Sequence, residues 1–139
     1  MGIVEYEDFV QLSIADLPGL LPDITKGFGS KYLYHLERCK TILYVIDISQ
    51  ENFYEQFIDI KNLLYNFEKN LIISKKAIII ANKIDLCEER DTGILKEKLE
   101  ILRQKSNEIV VPVSSLNKIN LKKFLKLFRD FNETNLNKN

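Results

Sequence analysis

The chain has 139 residues, 45% of them apolar and 29% charged, and its twenty basic residues are balanced by twenty acidic ones. That length and apolar share suit one globular domain with a buried core. Zero net charge excludes a global electrostatic drive toward nucleic acid or an anionic membrane, so any contact with RNA has to be local.

Ile3 to Tyr6 and Val10 to Ala15 read as two strands joined by a tight turn at Glu7-Asp8, hence an antiparallel hairpin. A loop from Asp16 to Gly29 carries Pro18, Pro22 and three glycines, and a helix is expected over Lys31 to Arg38. His35, the only histidine, lies on that helix, where a structural role is the simpler reading. The β-branched run Thr41 to Ile48 is a buried strand, and Phe53, Phe57, Ile60, Leu64 and Phe67 mark one face of the following helix. Lys76 to Ala81 is the next strand. Ile94 to Leu102 is a helix, Ile109 to Val113 a short strand, and Leu121 to Phe131 a closing helix with Leu121, Phe124, Leu125 and Phe128 inward. Residues 1–131 are expected to form the domain and residues 132–139 a polar, frayed tail. This alternation predicts an α/β fold with a mostly parallel sheet and helices on both faces, and such sheets bind ligands at the carboxyl ends of their strands.

Three motifs stand at those ends. Asn82-Lys83-Ile84-Asp85 follows the apolar run Ala77 to Ala81. Guanine presents two adjacent N–H donors on its Watson–Crick edge, which the Asp85 carboxylate can accept together. Adenine lacks the pair, and a buried polar group left unmet costs about 1–3 kcal/mol, so one residue both selects and rejects. Asn82 can tie the loop and reach the purine, and the Lys83 stem can lie along the base plane. Asp16-Leu17-Pro18-Gly19 closes the second strand. In nucleotide triphosphatases an Asp there reaches Mg²⁺, usually through water, and the glycine three residues on brings a bare N–H to the γ-phosphate. After Ile109 to Val111 comes Val113-Ser114-Ser115-Leu116, where a loop N–H of Ser114 or Ser115 can donate to guanine O6.

Together these motifs resemble the G domain of the Obg family of translation-associated GTPases over nearly the whole chain. The stretch Asp16 to Arg38, Asp-Leu-Pro-Gly-Leu-Leu-Pro-Asp-Ile-Thr-Lys-Gly-Phe-Gly followed by Tyr-Leu-Tyr-His-Leu-Glu-Arg, is similar to that family's DxPGLIEGAxxGxGLGxxFLRHIER and is far more specific than a bare DxxG. The resemblance implies the Ras-like three-layer P-loop NTPase fold. It also implies GTP or GDP with Mg²⁺ as ligands: Asp16, Gly19, Asn82, Lys83, Asp85, Ser114 and Ser115 would bind nucleotide, and Asp16 would also serve the metal. The large ribosomal subunit is the partner it implies. Leu20 follows Gly19 where Ras-like enzymes place a water-orienting Gln; the Obg pattern also has a hydrophobic residue there, so no side chain is named as catalytic. Lys118 and Asn120 stand where family members often have glycines, and Asn120 can adopt a positive φ at modest cost.

One expected part is absent. The five glycines, at positions 2, 19, 27, 29 and 93, form no G-x-x-x-x-G-K-S/T phosphate loop. The chain therefore reads as the second part of a G domain, lacking the first, central strand and the first helix, and its missing strand would leave two inner edges unpaired. A partner protein or a preceding N-terminal part could fill that slot; without it the isolated chain is expected to be marginal. Two functional readings stay open: a GTP-binding protein of the Obg class linked to ribosome assembly, or a degenerate, non-catalytic G-domain interaction module. Cys39 and Cys87 belong to no CxxC and read as reduced thiols. No signal peptide is visible and no apolar run reaches the roughly 18 residues of a membrane span. A soluble protein of the cytoplasm, or of an organelle matrix, is expected.

Overall fold

The computed structural model describes residues 2–17, 30–88 and 92–133. The chain divides into two compact units, residues 1–39 and 40–139.

In the first unit, β1 (Gly2–Glu5) and β2 (Gln11–Ile14) pair antiparallel with Gly2 opposite Ile14 and Glu5 opposite Gln11. The expected hairpin is present, but its turn is wider than a two-residue turn at Glu7-Asp8. Phe9 N–H donates to Tyr6 O at 2.9 Å, and Tyr6 N–H donates to Val10 O at 2.9 Å. Phe9 has φ +64°, so this is a three-residue connection whose last residue is left-handed, the position glycine ordinarily takes. Every residue of both strands is exposed or half-buried. Helix α1 (Ser30–Arg38) follows the segment 18–29, and the Arg38 guanidinium lies 4.1 Å from the centre of the Tyr34 ring one turn earlier.

The second unit is built on a three-stranded parallel sheet of order β3-β4-β5, with β3 at Thr41–Asp47, β4 at Lys76–Asn82 and β5 at Ile109–Pro112. The α/β architecture and parallel sheet expected from the sequence are observed. Consecutive strand residues point to opposite faces, and Ile78 and Ile79 of β4 are both fully buried, so both faces of the central strand are covered. This is why the segment reads as an unbroken apolar run rather than an alternating one. On β3, Ile42, Tyr44 and Ile46 are buried while Val45 is 55% exposed. Among the described residues β3 has a strand neighbour, β4, on one side only.

Helix α2 (Phe53–Ile73) buries Phe53, Phe57, Leu64 and Ile72, and breaks at Glu68 (φ −155°, ψ 84°). It packs on β3 through Phe57, whose ring meets Tyr44 edge-on at 5.1 Å; such pairs add about 0.5–1.5 kcal/mol to the burial itself. Helix α3 (Asp85–Glu88) is a single turn that periodicity does not announce, and α4 (Thr92–Ser106) is longer at both ends than expected. Lys98 and Lys105 of α4 set their ammonium groups over the rings of Phe53 and Tyr54 at 5.5 and 5.0 Å, which makes α2 and α4 neighbours. Helix α5 (Leu121–Glu133) buries Phe124 and Phe128. It is tied to the starts of β3 and β4: Thr41 Oγ1 lies 3.4 Å from Asn132 Oδ1, and Lys76 Nζ sits over Phe131 at 4.9 Å. Cys39 and Cys87 form no disulfide, and no helix of the described residues is long and apolar enough to cross a membrane.

Candidate functional site

The carboxyl ends of β3, β4 and β5 are adjacent because the strands are parallel and in register: Asp47 pairs with Asn82, and Ala81 with Pro112. The ladder continues past the strands. Ile48 N–H donates to Asn82 O at 3.1 Å, Val113 N–H to Ala81 O at 2.9 Å, and Ile84 N–H to Val113 O at 3.2 Å. Three loops are thereby laced together by main-chain bonds before any side chain is considered.

Two side-chain links then join Asn82-Lys83-Ile84-Asp85 to Ser114-Ser115. Asn82 Nδ2 donates to Ser115 Oγ at 3.1 Å, and Ser115 N–H donates back to Asn82 Oδ1 at 3.0 Å. Ser114, 0% exposed, donates its hydroxyl to Asp85 Oδ1 at 2.7 Å and accepts Asn117 N–H at 3.1 Å. A carboxylate offers about four lone-pair directions, so Asp85, oriented by one short bond, keeps capacity for a pair of donors. The loop is closed by a two-way main-chain bridge between Ser114 and Ile119, at 3.2 and 3.0 Å. Lys118 (φ +57°) and Asn120 (φ +61°) are both left-handed, where glycine would carry no penalty; Asn120 offsets part of the cost by donating from Nδ2 to Pro112 O at 3.0 Å.

Lys83 is itself left-handed, at φ +68°. Its ammonium pairs with Asp47 Oδ2 at 2.9 Å. Asp47 Oδ1 accepts the Ser49 N–H at 3.0 Å and the Ser49 hydroxyl at 2.5 Å. Burial by itself would raise the Asp47 carboxyl, but the Ser49 and Lys83 hydrogen bonds outweigh it and hold the group below its ordinary value. The Gln56 carboxamide brackets the Asp47 main chain, accepting its N–H at 2.9 Å and donating to its carbonyl at 3.2 Å. Lys98 holds the turn that follows, its ammonium lying 3.1, 3.4 and 3.2 Å from the carbonyls of Ile48, Ser49 and Gln50.

Of the residues expected from the sequence, Asn82, Lys83, Asp85, Ser114 and Ser115 thus converge. Asp16 belongs to the other unit, exposed two residues beyond β2. Gly19, and Leu20 after it, lie outside the described residues. The residues that sequence reasoning passed over are Asp47, Ser49, Gln56 and Lys98. The available signal was a carboxylate ending the buried run from Thr41, the same placement that drew attention to Asp16. No group of three or more His, Cys, Asp or Glu side chains suited to a metal is found among the described residues.

Comparison with known proteins matches residues 2–127 to the Gtr1/RagA G protein conserved region. The GTPase Obg of Pelagibacter ubique (strain HTCC1062) is 36% identical over 120 residues, covering 85% of this chain and 35% of that protein. The human mitochondrial ribosome-associated GTPase 2 is 38% identical over 127 residues, covering 90% and 30%. The chain therefore spans about a third of the length of the curated relatives it matches. Among solved structures, that of Era in complex with MgGDPNP and nucleotides 1506–1542 of 16S ribosomal RNA superposes with a TM-score of 0.67. At 22% identity, it covers 91% of this chain and 42% of that one, a likeness of fold.

Proposed function

We propose that this chain, which belongs to the family of the Gtr1/RagA G protein conserved region and has a G-domain sequence of the Obg type, supplies the guanine-recognition half of a GTP-binding site. The observation that carries the reading is the Asp85 carboxylate, oriented by the fully buried Ser114 hydroxyl on a loop that Asn82 and Ser115 lock from both sides. Such a carboxylate suits guanine's two N–H donors and leaves adenine without a match. Lys83 supplies an aliphatic stem for the base plane, and Ser114 and Ser115 bring a second loop to the base edge.

Phosphate binding rests on less. Asp16, two residues beyond β2, is an exposed carboxylate, and Mg²⁺ takes one or two carboxylates together with water and substrate phosphates, so Asp16 fits an ion held chiefly by the nucleotide. When bound, the ion would neutralise phosphate charge. The sequence contains no G-x-x-x-x-G-K-S/T. Three charge-assisted phosphate contacts forgone at about 2 kcal/mol each weaken binding by roughly four orders of magnitude. Nucleotide affinity of these 139 residues is accordingly expected in the micromolar range or weaker, with little or no hydrolysis. The same absence favours the second reading, a G-domain interaction module without useful nucleotide affinity.

Titration of the chain with GDP and ADP in the presence of Mg²⁺ separates them. Preference for GDP, reduced at least ~100-fold by Asp85→Asn through loss of the bidentate pair, supports guanine recognition; no binding of either nucleotide at about 1 mM, a limit near −4 kcal/mol, supports the interaction module. A ribosomal link, suggested by the human relative's name, is tested by co-sedimentation with large ribosomal subunits. A cytoplasmic or organelle-matrix location goes with that role.

A further inference from the structure

Lys83 has a second anchor that the base-recognition motif does not contain. We propose that Asp47 is a positioning residue for the base site: it tethers the Lys83 ammonium, so that the stem is presented to the purine plane in one direction. The inference rests on the guanine reading above and adds to it a residue from a different strand, 36 positions earlier.

Four observations carry it. First, Asp47 is the last paired residue of β3 and sits directly opposite Asn82, so the parallel register itself brings the carboxylate beside the loop. Second, the carboxylate is divided between two tasks: Oδ1 takes both Ser49 donors, and Oδ2 meets Lys83 Nζ at 2.9 Å. Third, the main chain beneath it is clamped on both sides. On the edge where β3 has no strand neighbour among the described residues, the Gln56 amide makes the two hydrogen bonds that a neighbouring strand would make. The next turn is held by Lys98 through three carbonyls. Fourth, the Lys83 side chain is 53% exposed and that of Asp47 20% exposed.

An exposed lysine paired to a mobile carboxylate contributes little, because ordering two long side chains offsets the attraction. Here one partner is already immobile, so only the lysine is ordered. Lys83 also sits in a left-handed backbone conformation that an unbranched L-residue adopts at a cost, a kind of strain that persists only where surrounding structure over-determines it. Backbone and ammonium are thus both fixed, and the four-carbon stem between them has few ways to run. A stem prearranged in this way loses little freedom when a planar base lies against it.

The test removes the tether from either end. Asp47→Asn keeps an oxygen for the Ser49 donors and removes the charge facing Lys83; Lys83→Met keeps the stem and removes the ammonium. With GDP and Mg²⁺ as probe, each variant is expected to bind about tenfold more weakly than the unsubstituted chain, and the double variant no more weakly than either single one. Unfolding midpoints identify any variant that fails to fold, and either single variant suffices for the comparison. Unchanged affinity in the folded Asp47→Asn protein overturns the proposal, as do losses that multiply in the double variant. Acetylation of Lys83 by N-hydroxysuccinimidyl acetate, measured by mass spectrometry against Lys122 of the same molecule, gives a readout that needs no nucleotide. Several-fold faster labelling of Lys83 in Asp47→Asn supports the tether, and an unchanged ratio overturns it. If the unsubstituted chain binds no GDP, the guanine reading fails, and the labelling ratio alone decides whether Asp47 positions Lys83.

Discussion

In residues 40–139, Asn82 and Asp85 leave a strand whose Ile78, Ile79 and Ala81 are fully buried, whereas in residues 1–39 Asp16 leaves a two-stranded ribbon with no buried residue in either strand. The first arrangement fixes its polar groups to a sheet covered on both faces. Side chains there are set by packing and by short hydrogen bonds, as a recognition site requires. A two-stranded ribbon is marginal on its own in water, and neither of these strands has a buried residue to anchor a group at its end. The proposed base-recognising groups and the proposed phosphate-side carboxylate therefore stand on parts that differ sharply in burial. On the proposed reading, the part with the buried core is the one that recognises guanine.

That contrast makes the strongest claim on the cores. Ile79→Ala, at a fully buried position of β4, is expected to lower stability by about 2–5 kcal/mol. Ile3→Ala in β1, where the side chain is 65% exposed, should change it by no more than about 0.5 kcal/mol. Urea unfolding of both variants checks the pair, and similar losses would erase the distinction between the units. Ser114→Ala ranks next. It leaves Asp85 Oδ1 and the Asn117 N–H without their shared partner, at a cost of about 1–3 kcal/mol, and GDP titration should show a loss in step with the lost orientation of Asp85. Smallest is Phe9→Gly. The phenylalanine is 85% exposed and left-handed, so glycine should stabilise the hairpin by up to about 1 kcal/mol. Amide hydrogen exchange at Val4 and Leu12, paired across the ribbon, reports that gain locally, and slower exchange is the expected result.

Phe9 also shows why part of the fold was hidden. The sequence reads as a tight turn at Glu7-Asp8 because no glycine marks the left-handed position, and only the closed hydrogen bonds from Phe9 and Tyr6 reveal the third loop residue. Lys118 and Asn120 are the opposite case. Their departure from family glycines singled them out beforehand, and both have positive φ. The strands β3, β4 and β5 were legible for a simple reason: runs such as Ala77 to Ala81 have one stable use, burial on both faces of a parallel sheet. The single turn α3 was not, since four residues are too few to show a period.

The candidate site divides in the same way. Asn82, Lys83, Asp85, Ser114 and Ser115, which the fold brings together, could be named in advance because the guanine reading calls for particular groups and local motifs at strand ends display them. Neither the motif nor the hydrophobic pattern states which residue of β3 faces which residue of β4. That Asp47 lies beside Asn82 and reaches Lys83, and that Gln56 and Lys98 hold it there, follows from strand register and helix placement. Those are settled by packing across the whole unit, between residues far apart in the chain. Residue types and their local spacing were thus enough to propose guanine as the base. How stiffly its recognising groups are held was decided by the fold, because rigidity is a property of contacts and the contacts here are long-range.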